Sequence, residues 1–216
     1  MHRPGKYCLR LEPSGNRQTT YLAAKRLCDI VGGLALLAIC APLMLLTTLV
    51  LLVTTRGRPV FFQPRVGYCG RMFIMFKFRT MHADADSQQH CVSNEMDGPV
   101  FKNRQDPRVT RIGRVLRTLS IDELPQLFNV LAGHMSLVGP RPPLLKEVEQ
   151  YEPWQRRRLA VKPGLTCVWQ VSGRNEVGFD DWVRMDLWYI DNQHLLTDLK
   201  LLARTPSIVL SRRGAY

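Results

Sequence analysis

The sequence predicts a mostly helical α/β unit, compact and without internal repeats, attached to an apolar membrane segment and followed by interfacial amphipathic helices. Three observations lead there. An uncharged run, VGGLALLAICAPLMLLTTLVLLV, extends from Val31 to Val53. After it, short apolar runs alternate with polar turns, and amphipathic stretches of helical spacing follow. Finally, 45% of the 216 residues are hydrophobic and 22% charged. That composition excludes a disordered chain, a disulfide miniprotein and a collagen-like fibre, and leaves room for one domain plus a membrane element. Thirty Lys and Arg against eighteen Asp and Glu give a net charge of +12. On charge alone, a nucleic-acid binder, a membrane-surface protein and an enzyme for anionic substrates all remain open.

In chain order, residues 1–24 form a basic leader, 25–58 a membrane element with its flanks, and 59–216 a globular domain. At about 1.5 Å per residue, the uncharged run is long enough to cross a hydrocarbon core of about 30 Å. It starts too far from the N-terminus, and is too long, for a typical secretory signal. Pro42 lies at its centre, where a missing N–H and a clash with the preceding turn predict a break or a kink. Lys25 and Arg26 precede the run, and Arg56 and Arg58 follow it. Basic residues on both sides suit a helix-break-helix hairpin that enters and leaves by one face. A kinked single span is the alternative. The six cysteines (Cys8, Cys28, Cys40, Cys69, Cys91, Cys167) are scattered without a C-x-x-C pair. This argues against a zinc site or a disulfide framework and for a reduced, cytoplasmic catalytic side.

Beyond the membrane run, Val60–Phe62 and Phe73–Phe78 read as a hairpin around Gly67-Tyr68-Cys69-Gly70. Residues 82–99 are polar and read as a mobile loop. Residues 109–119 and 121–131 predict two helices. Gly139-Pro140-Arg141-Pro142-Pro143 predicts a rigid turn, because each proline also restricts the residue before it. Phe179–Ile190 and Asp198–Leu210 predict amphipathic helices, the second interrupted at Pro206. Trp182 and Trp188 suit core packing, or a lipid interface.

Three clusters carry chemistry. Lys102, Arg104, Arg108, Arg111, Arg114 and Arg117 are opposed only by Asp106. Steps of three residues wind the last four around a helix, so some face solvent and one or two project into a phosphate site. Ser120-Ile121-Asp122-Glu123 matches a capping box. Pro125 argues instead for a helix starting at Ile121 or Asp122, which places both acids where the backbone dipole favours anions. Adjacent carboxylates there can bind a divalent cation, and an ionised aspartate can act as a nucleophile. The third cluster is Arg141, held between Pro140 and Pro142. Of the thirty basic residues, twenty-three are Arg, the side chain suited to bidentate binding of carboxylate or phosphate.

Seven stretches then occur in order. They are Lys77-Phe78-Arg79-Thr80-Met81, Asp106-Pro107-Arg108-Val109-Thr110-Arg111-Ile112-Gly113-Arg114, Asp122-Glu123-Leu124-Pro125-Gln126, Ser136-Leu137-Val138-Gly139-Pro140-Arg141-Pro142, Lys162-Pro163-Gly164-Leu165-Thr166, Trp169-Gln170-Val171-Ser172-Gly173-Arg174 and Arg213-Gly214-Ala215-Tyr216. Together they resemble the bacterial sugar transferase family, the monotopic polyprenyl-phosphate phosphoglycosyl transferases, from about Lys25 to Tyr216.

The resemblance implies transfer of a sugar 1-phosphate from a UDP-sugar to a polyprenyl phosphate such as undecaprenyl phosphate, with release of UMP, as the initiating step of exopolysaccharide assembly. It implies that Asp122 is the nucleophile and forms a covalent phosphosugar intermediate, and that Glu123, with Asp122, is associated with Mg²⁺. Arg117 and Arg141 match phosphate ligands, followed by Lys77 and Arg79. The re-entrant hairpin broken at Pro42 is implied as well, with the catalytic domain on the cytoplasmic leaflet of the bacterial inner membrane and the basic leader drawn to anionic headgroups. Galactose and glucose are the common sugars of short relatives, and a homodimer is compatible with the pattern. Two positions depart from it: Ala41 precedes Pro42 where many relatives have Ser, and Cys167 stands where many have Gly. The chain reads as the catalytic module alone, with a short leader. A nucleic-acid binder would interleave aromatics with its basic residues, which this sequence does not do, so no nucleic-acid partner is expected. A non-catalytic membrane scaffold would have no use for Asp122 and Glu123.

Overall fold

A computed structural model describes residues 16–85, 87, 88, 90, 92–172 and 178–211. Most of the leader, Cys91, Gly173, Arg174 and the terminal Arg213-Gly214-Ala215-Tyr216 lie outside the described residues. The architecture is mostly helical, with two small sheets. Helix α1 covers Asn16–Thr54. An antiparallel hairpin follows, β1 (Val60–Val66) with β2 (Met72–Phe78), in register from Val60 opposite Phe78 to Val66 opposite Met72. Then come α2 (Arg111–Thr118), a 3-10 turn (Ile121–Glu123), α3 (Gln126–Leu131), β3 (Ser136–Val138) and α4 (Leu145–Glu149). The chain continues through a 3-10 helix (Gln155–Ala160), β4 (Gly164–Thr166), α5 (Val168–Ser172), α6 (Phe179–Asp191) and α7 (Leu195–Ser211).

Several expectations change on contact with the structure. Helix α1 runs through Pro42 without interruption, so the expected break into two helices is absent. A proline deletes a single helical hydrogen bond, and the long apolar flanks keep their own ladder. Helix α7 likewise continues through Pro206. The helix expected over 121–131 is divided. Ser120 adopts a left-handed conformation (φ 54°) and makes no capping bond, so there is no capping box. The acids open a 3-10 turn, and Pro125 stands at the start of α3, where its missing N–H costs nothing. Strands β3 and β4 pair in parallel, which the sequence did not signal. Cys69 is disulfide-bonded, contrary to the expectation of a reduced catalytic side.

Among the described residues, three buried clusters form the core. The first gathers Phe73, Met75, Leu127, Val130, Leu137 and Tyr189, the second Val148, Tyr151, Trp169, Phe179, Trp182 and Val183, and a smaller third Leu51, Phe78 and Leu116. Trp182 is core, whereas Trp188 is exposed.

Helix α1 is part of this packing. Asp29, Gly33, Leu37, Met44, Thr47 and Leu51 recur at helical spacing and face the domain, while Val31, Leu34, Ile39, Leu45, Leu46, Leu49 and Val53 are exposed. Near its start, Lys25 donates to the Val138 carbonyl (3.0 Å) and pairs with Asp198 (2.9 Å), which also accepts from Tyr21 (3.0 Å) and Tyr189 (2.7 Å). Arg26 donates to the carbonyls of Val130 (2.7 Å) and Leu131 (2.8 Å). Buried Asp29 accepts from Ser136 Oγ and from the Leu137 N–H, both at 2.9 Å. Near its end, Leu51 packs on Phe78 and Leu116. Lys25 and Arg26, which look like membrane-flanking charges in the sequence, are therefore docking residues.

Candidate active site

Asp122 and Glu123 are presented by the 3-10 turn between α2 and α3. Thr110 caps α2 by accepting from the Gly113 N–H (2.9 Å), and its own N–H donates to the Thr80 carbonyl (2.9 Å). A Cβ on Gly113 would lie 2.0 Å from that carbonyl oxygen, so only glycine lets α2 sit against the end of β2. This contact carries Arg117 to the site, where its Nε donates to Thr80 Oγ1 (3.0 Å). Strand β2 brings in Lys77, whose Nζ lies 2.7 Å from Glu123 Oε1 and 3.9 Å from Asp122 Oδ2. Asn129 fixes that strand, accepting from the Phe76 N–H (3.0 Å) and donating to the Ile74 carbonyl (2.7 Å).

Arg141 arrives from the other sheet. The Gly139 N–H donates to the Thr166 carbonyl (3.0 Å) and the Gly164 N–H to the Pro140 carbonyl (2.9 Å). A Cβ on Gly164 would sit 2.0 Å from Gly139 N, so the two backbones touch and hold the Pro-Arg-Pro turn. Buried Arg65 donates to the Pro142 carbonyl (2.9 Å), and Arg158, in a buried ion pair with Asp186, reaches the Arg141 carbonyl (3.5 Å).

One cavity of about 690 Å³ is lined by Lys77, Arg79, Arg117, Asp122, Glu123 and Arg141 together. Arg79 sits toward the rim, its Nε donating to the Arg58 carbonyl (3.0 Å) and its guanidinium over Phe61. Pro42 lies elsewhere, on α1. Of the basic cluster, Arg111 and Arg114 face solvent and Arg108 is paired with Asp106 at 2.7 Å. Burial raises the Asp122 carboxyl above the ordinary range, and Glu123 adds to it, while Lys77 and Arg117 oppose the shift. For Glu123, burial is outweighed by Lys77 and by the more distant Arg141 and Arg65, so it is held low.

The sequence does not single out Arg65; Lys102 stands there only as one of the basic cluster and Gln126 only as the end of a motif. Lys102 lies in the same cavity with its ammonium 4.8 Å from the Trp169 ring centroid and 4.7 Å from that of Trp182. Burial and the nearby Arg141 bring it down to about 7. Gln126 is 3% exposed, and its Nε2 has no hydrogen-bond partner among the described residues. It lines a side cavity of about 10 Å³ with Arg65, Lys77, Glu123, Arg141 and Gln170, whose Oε1 accepts from the buried Cys167 thiol (3.1 Å). Arg65 comes from β1, Lys102 from the irregular chain before α2 and Gln126 from the start of α3, so the fold and not spacing brings these groups together.

Among the described residues, no three His, Cys, Asp or Glu side chains are grouped to hold a metal ion. The pair Asp122 and Glu123 nevertheless fits Mg²⁺, which binds through one or two carboxylates and completes its shell with water and substrate phosphates. Two adjacent carboxylates, Asp122 buried and Glu123 half-buried, also favour a further cation beside Lys77.

The family model for bacterial sugar transferases matches residues 20–212. Galactosyl transferase CpsE of Streptococcus agalactiae is 45% identical over 200 residues, covering 91% of this chain and 44% of that protein. The undecaprenyl-phosphate galactose phosphotransferase of Salmonella typhimurium is 44% identical, covering 89% of this chain and 41% of its own length. The chain thus spans less than half of those two relatives. Against the uncharacterized sugar transferase EpsL of Bacillus subtilis, 41% identical, the coverage is 88% of this chain and 89% of that one.

Proposed function

Since the chain belongs to the bacterial sugar transferase family, we propose that it transfers a sugar 1-phosphate, of galactose or glucose, from a UDP-sugar to undecaprenyl phosphate. The observation that carries this reading is the convergence of Lys77, Arg117 and Arg141 on buried Asp122 and half-buried Glu123 in one cavity.

The chemistry follows from that arrangement. A diphosphate entering the cavity meets Arg141 and Arg117, whose forked guanidiniums suit phosphoryl oxygens. An Asp122 oxygen attacks the sugar-bearing phosphorus. A P–O bond forms, the bond to UMP breaks, and UMP leaves with that electron pair. The lipid phosphate oxygen then attacks the same phosphorus, and the Asp122 carboxylate is released unchanged. Lys77 lies beside both carboxylates and offsets the repulsion between an anionic nucleophile and an anionic substrate. Glu123 and Asp122 would hold Mg²⁺, which supplies charge neutralisation at the diphosphate.

Purified protein with Mg²⁺ and undecaprenyl phosphate is expected to release UMP from a UDP-sugar. Asp122→Asn should lower that release at least about 1,000-fold, or about 4 kcal/mol in transition-state stabilisation. Wild-type activity in this variant would refute the nucleophile.

The docking of α1 supports a monotopic placement on the cytoplasmic membrane with the catalytic domain toward the cytoplasm. Both ends of the helix contact the same domain, through Asp29 near the start and Leu51 near the end. A perpendicular span would draw α2, with exposed Arg111 and Arg114, toward the far leaflet, at a cost of several kcal/mol per charge. A re-entrant placement keeps both ends on one face. Cysteines introduced near residue 16 and on α6 should be labelled from the same side of intact vesicles. Labelling from opposite sides would mean a true span.

A further inference from the structure

The cavity does not end at the carboxylates. Its lining also includes an apolar set, treated as one lobe, from Leu36 of α1, from Leu137 and Leu165, and from Leu202, Pro206 and Val209 of α7. The last three stand at i, i+4 and i+7, on one helix face, and make a strip about 10 Å long. Thr205 shares that face, but its hydroxyl donates to the Leu201 carbonyl (2.8 Å) and lies 3.0 Å from Thr166 Oγ1. A uracil or ribose needs hydrogen-bond partners, and these aliphatic walls offer it little. One wall belongs to the membrane helix, where the neighbours Leu34 and Ile39 are exposed at 53% and 74%. The lobe therefore joins the phosphoryl-transfer site to the apolar surface of α1.

We infer that this lobe binds the phosphate-proximal isoprenoid units of the lipid acceptor, so that the chain runs between α1 and α7 while its phosphate faces Asp122. The inference rests on the transferase reading above and adds where the acceptor lies. It also gives the α7 strip a task in the second half-reaction alone. The first half-reaction, in which Asp122 takes the phosphosugar and UMP departs, has no use for it.

The test uses the full chain in nanodiscs and separates the two halves. Lipid-free UMP release in a single burst reports the first. Transfer to undecaprenyl phosphate, or to the two-isoprene geranyl phosphate, reports the second. Val209→Trp and Leu36→Trp approach the lobe from opposite walls. Each is expected to raise the KM for undecaprenyl phosphate at least about tenfold, to narrow the preference for the long chain, and to keep the burst. The burst also shows that the variant is folded. Wild-type lipid KM and chain preference in both variants would overturn the assignment. So would a burst lost together with transfer in variants that keep the wild-type melting temperature, because the lobe would then serve the nucleotide. Absence of any burst in the unsubstituted protein, across a panel of UDP-sugars, would sink the transferase reading and this assignment with it.

Discussion

Replacing Gln126 with leucine separates what a side chain does for the fold from what it does for the substrate. Gln126 is buried, and its Nε2 lacks a partner among the described residues. An unsatisfied buried donor costs about 1–3 kcal/mol. Leucine has nearly the same volume and nothing to satisfy, so Gln126→Leu should stabilise the protein by about 1 kcal/mol, or about 2–4 °C in Tm for a chain of this size. The side cavity of about 10 Å³ that Gln126 lines admits about one water-sized group, and three cations around it, Lys77, Arg65 and Arg141, against one acid, Glu123, favour an anionic oxygen there. A hydrogen bond to a charged oxygen is worth about 1.5–3 kcal/mol, so the same variant should lose about ten- to a hundredfold in kcat/KM for the UDP-sugar. The assay pairs thermal unfolding in detergent with UMP release. A lower Tm with unchanged kcat/KM would refute the reasoning and make Gln126 a packing residue.

Two further outcomes are expected. Lys102 sits near 7 through burial and Arg141, so it gains charge as pH falls from 8 to 6. UMP should therefore bind more tightly at pH 6 than at pH 8 by isothermal titration, and Lys102→Met should flatten that difference. Because the unfolded chain keeps this lysine protonated up to its ordinary value, stability should rise with pH from about 7 toward 10, and the variant should lose that rise. The pair Arg158 and Asp186 is almost fully buried, with side-chain exposures of 2% and 1%. Asp186→Leu alone should cost about 3–5 kcal/mol by leaving a buried guanidinium unpaired, whereas Arg158→Met with Asp186→Leu should recover most of it in chemical denaturation. Equal losses in the single and double variants would contradict this.

Much of the site is legible in the linear sequence because its parts are local. Asp122 and Glu123 are adjacent, Arg117 lies one helical turn and a half upstream, and the prolines around Arg141 announce a fixed turn. The helix expected over 109–119 is legible, and emerges as Arg111–Thr118. The 121–131 segment misleads, since it is a 3-10 turn and a short helix divided at Pro125, and not one helix. The parallel pair β3 and β4 is three residues a side and 25 residues apart along the chain, too short for alternation to register. Arg65 is an ordinary basic residue until burial makes it part of the site. Lys25 and Arg26 show the converse: their place beside an apolar run signals a membrane flank, but tertiary acceptors at Val138, Val130 and Leu131 claim them.

The bonds from Lys25 and Asp29 to β3 also decide how this protein can be cut and spliced. Strand β3 leads directly into the turn that carries Arg141, so the first turns of the apolar helix are a strut of the catalytic domain. A soluble version begun after the helix would strip acceptors and donors from Ser136, Leu137 and Asp198 and open one wall of the cavity. Chimeras that exchange membrane anchors should keep Tyr21 to Gly33 from the catalytic parent and change only the lipid-facing positions beyond. By this measure the foreign anchor is grafted onto the outside of a helix, not joined at its end.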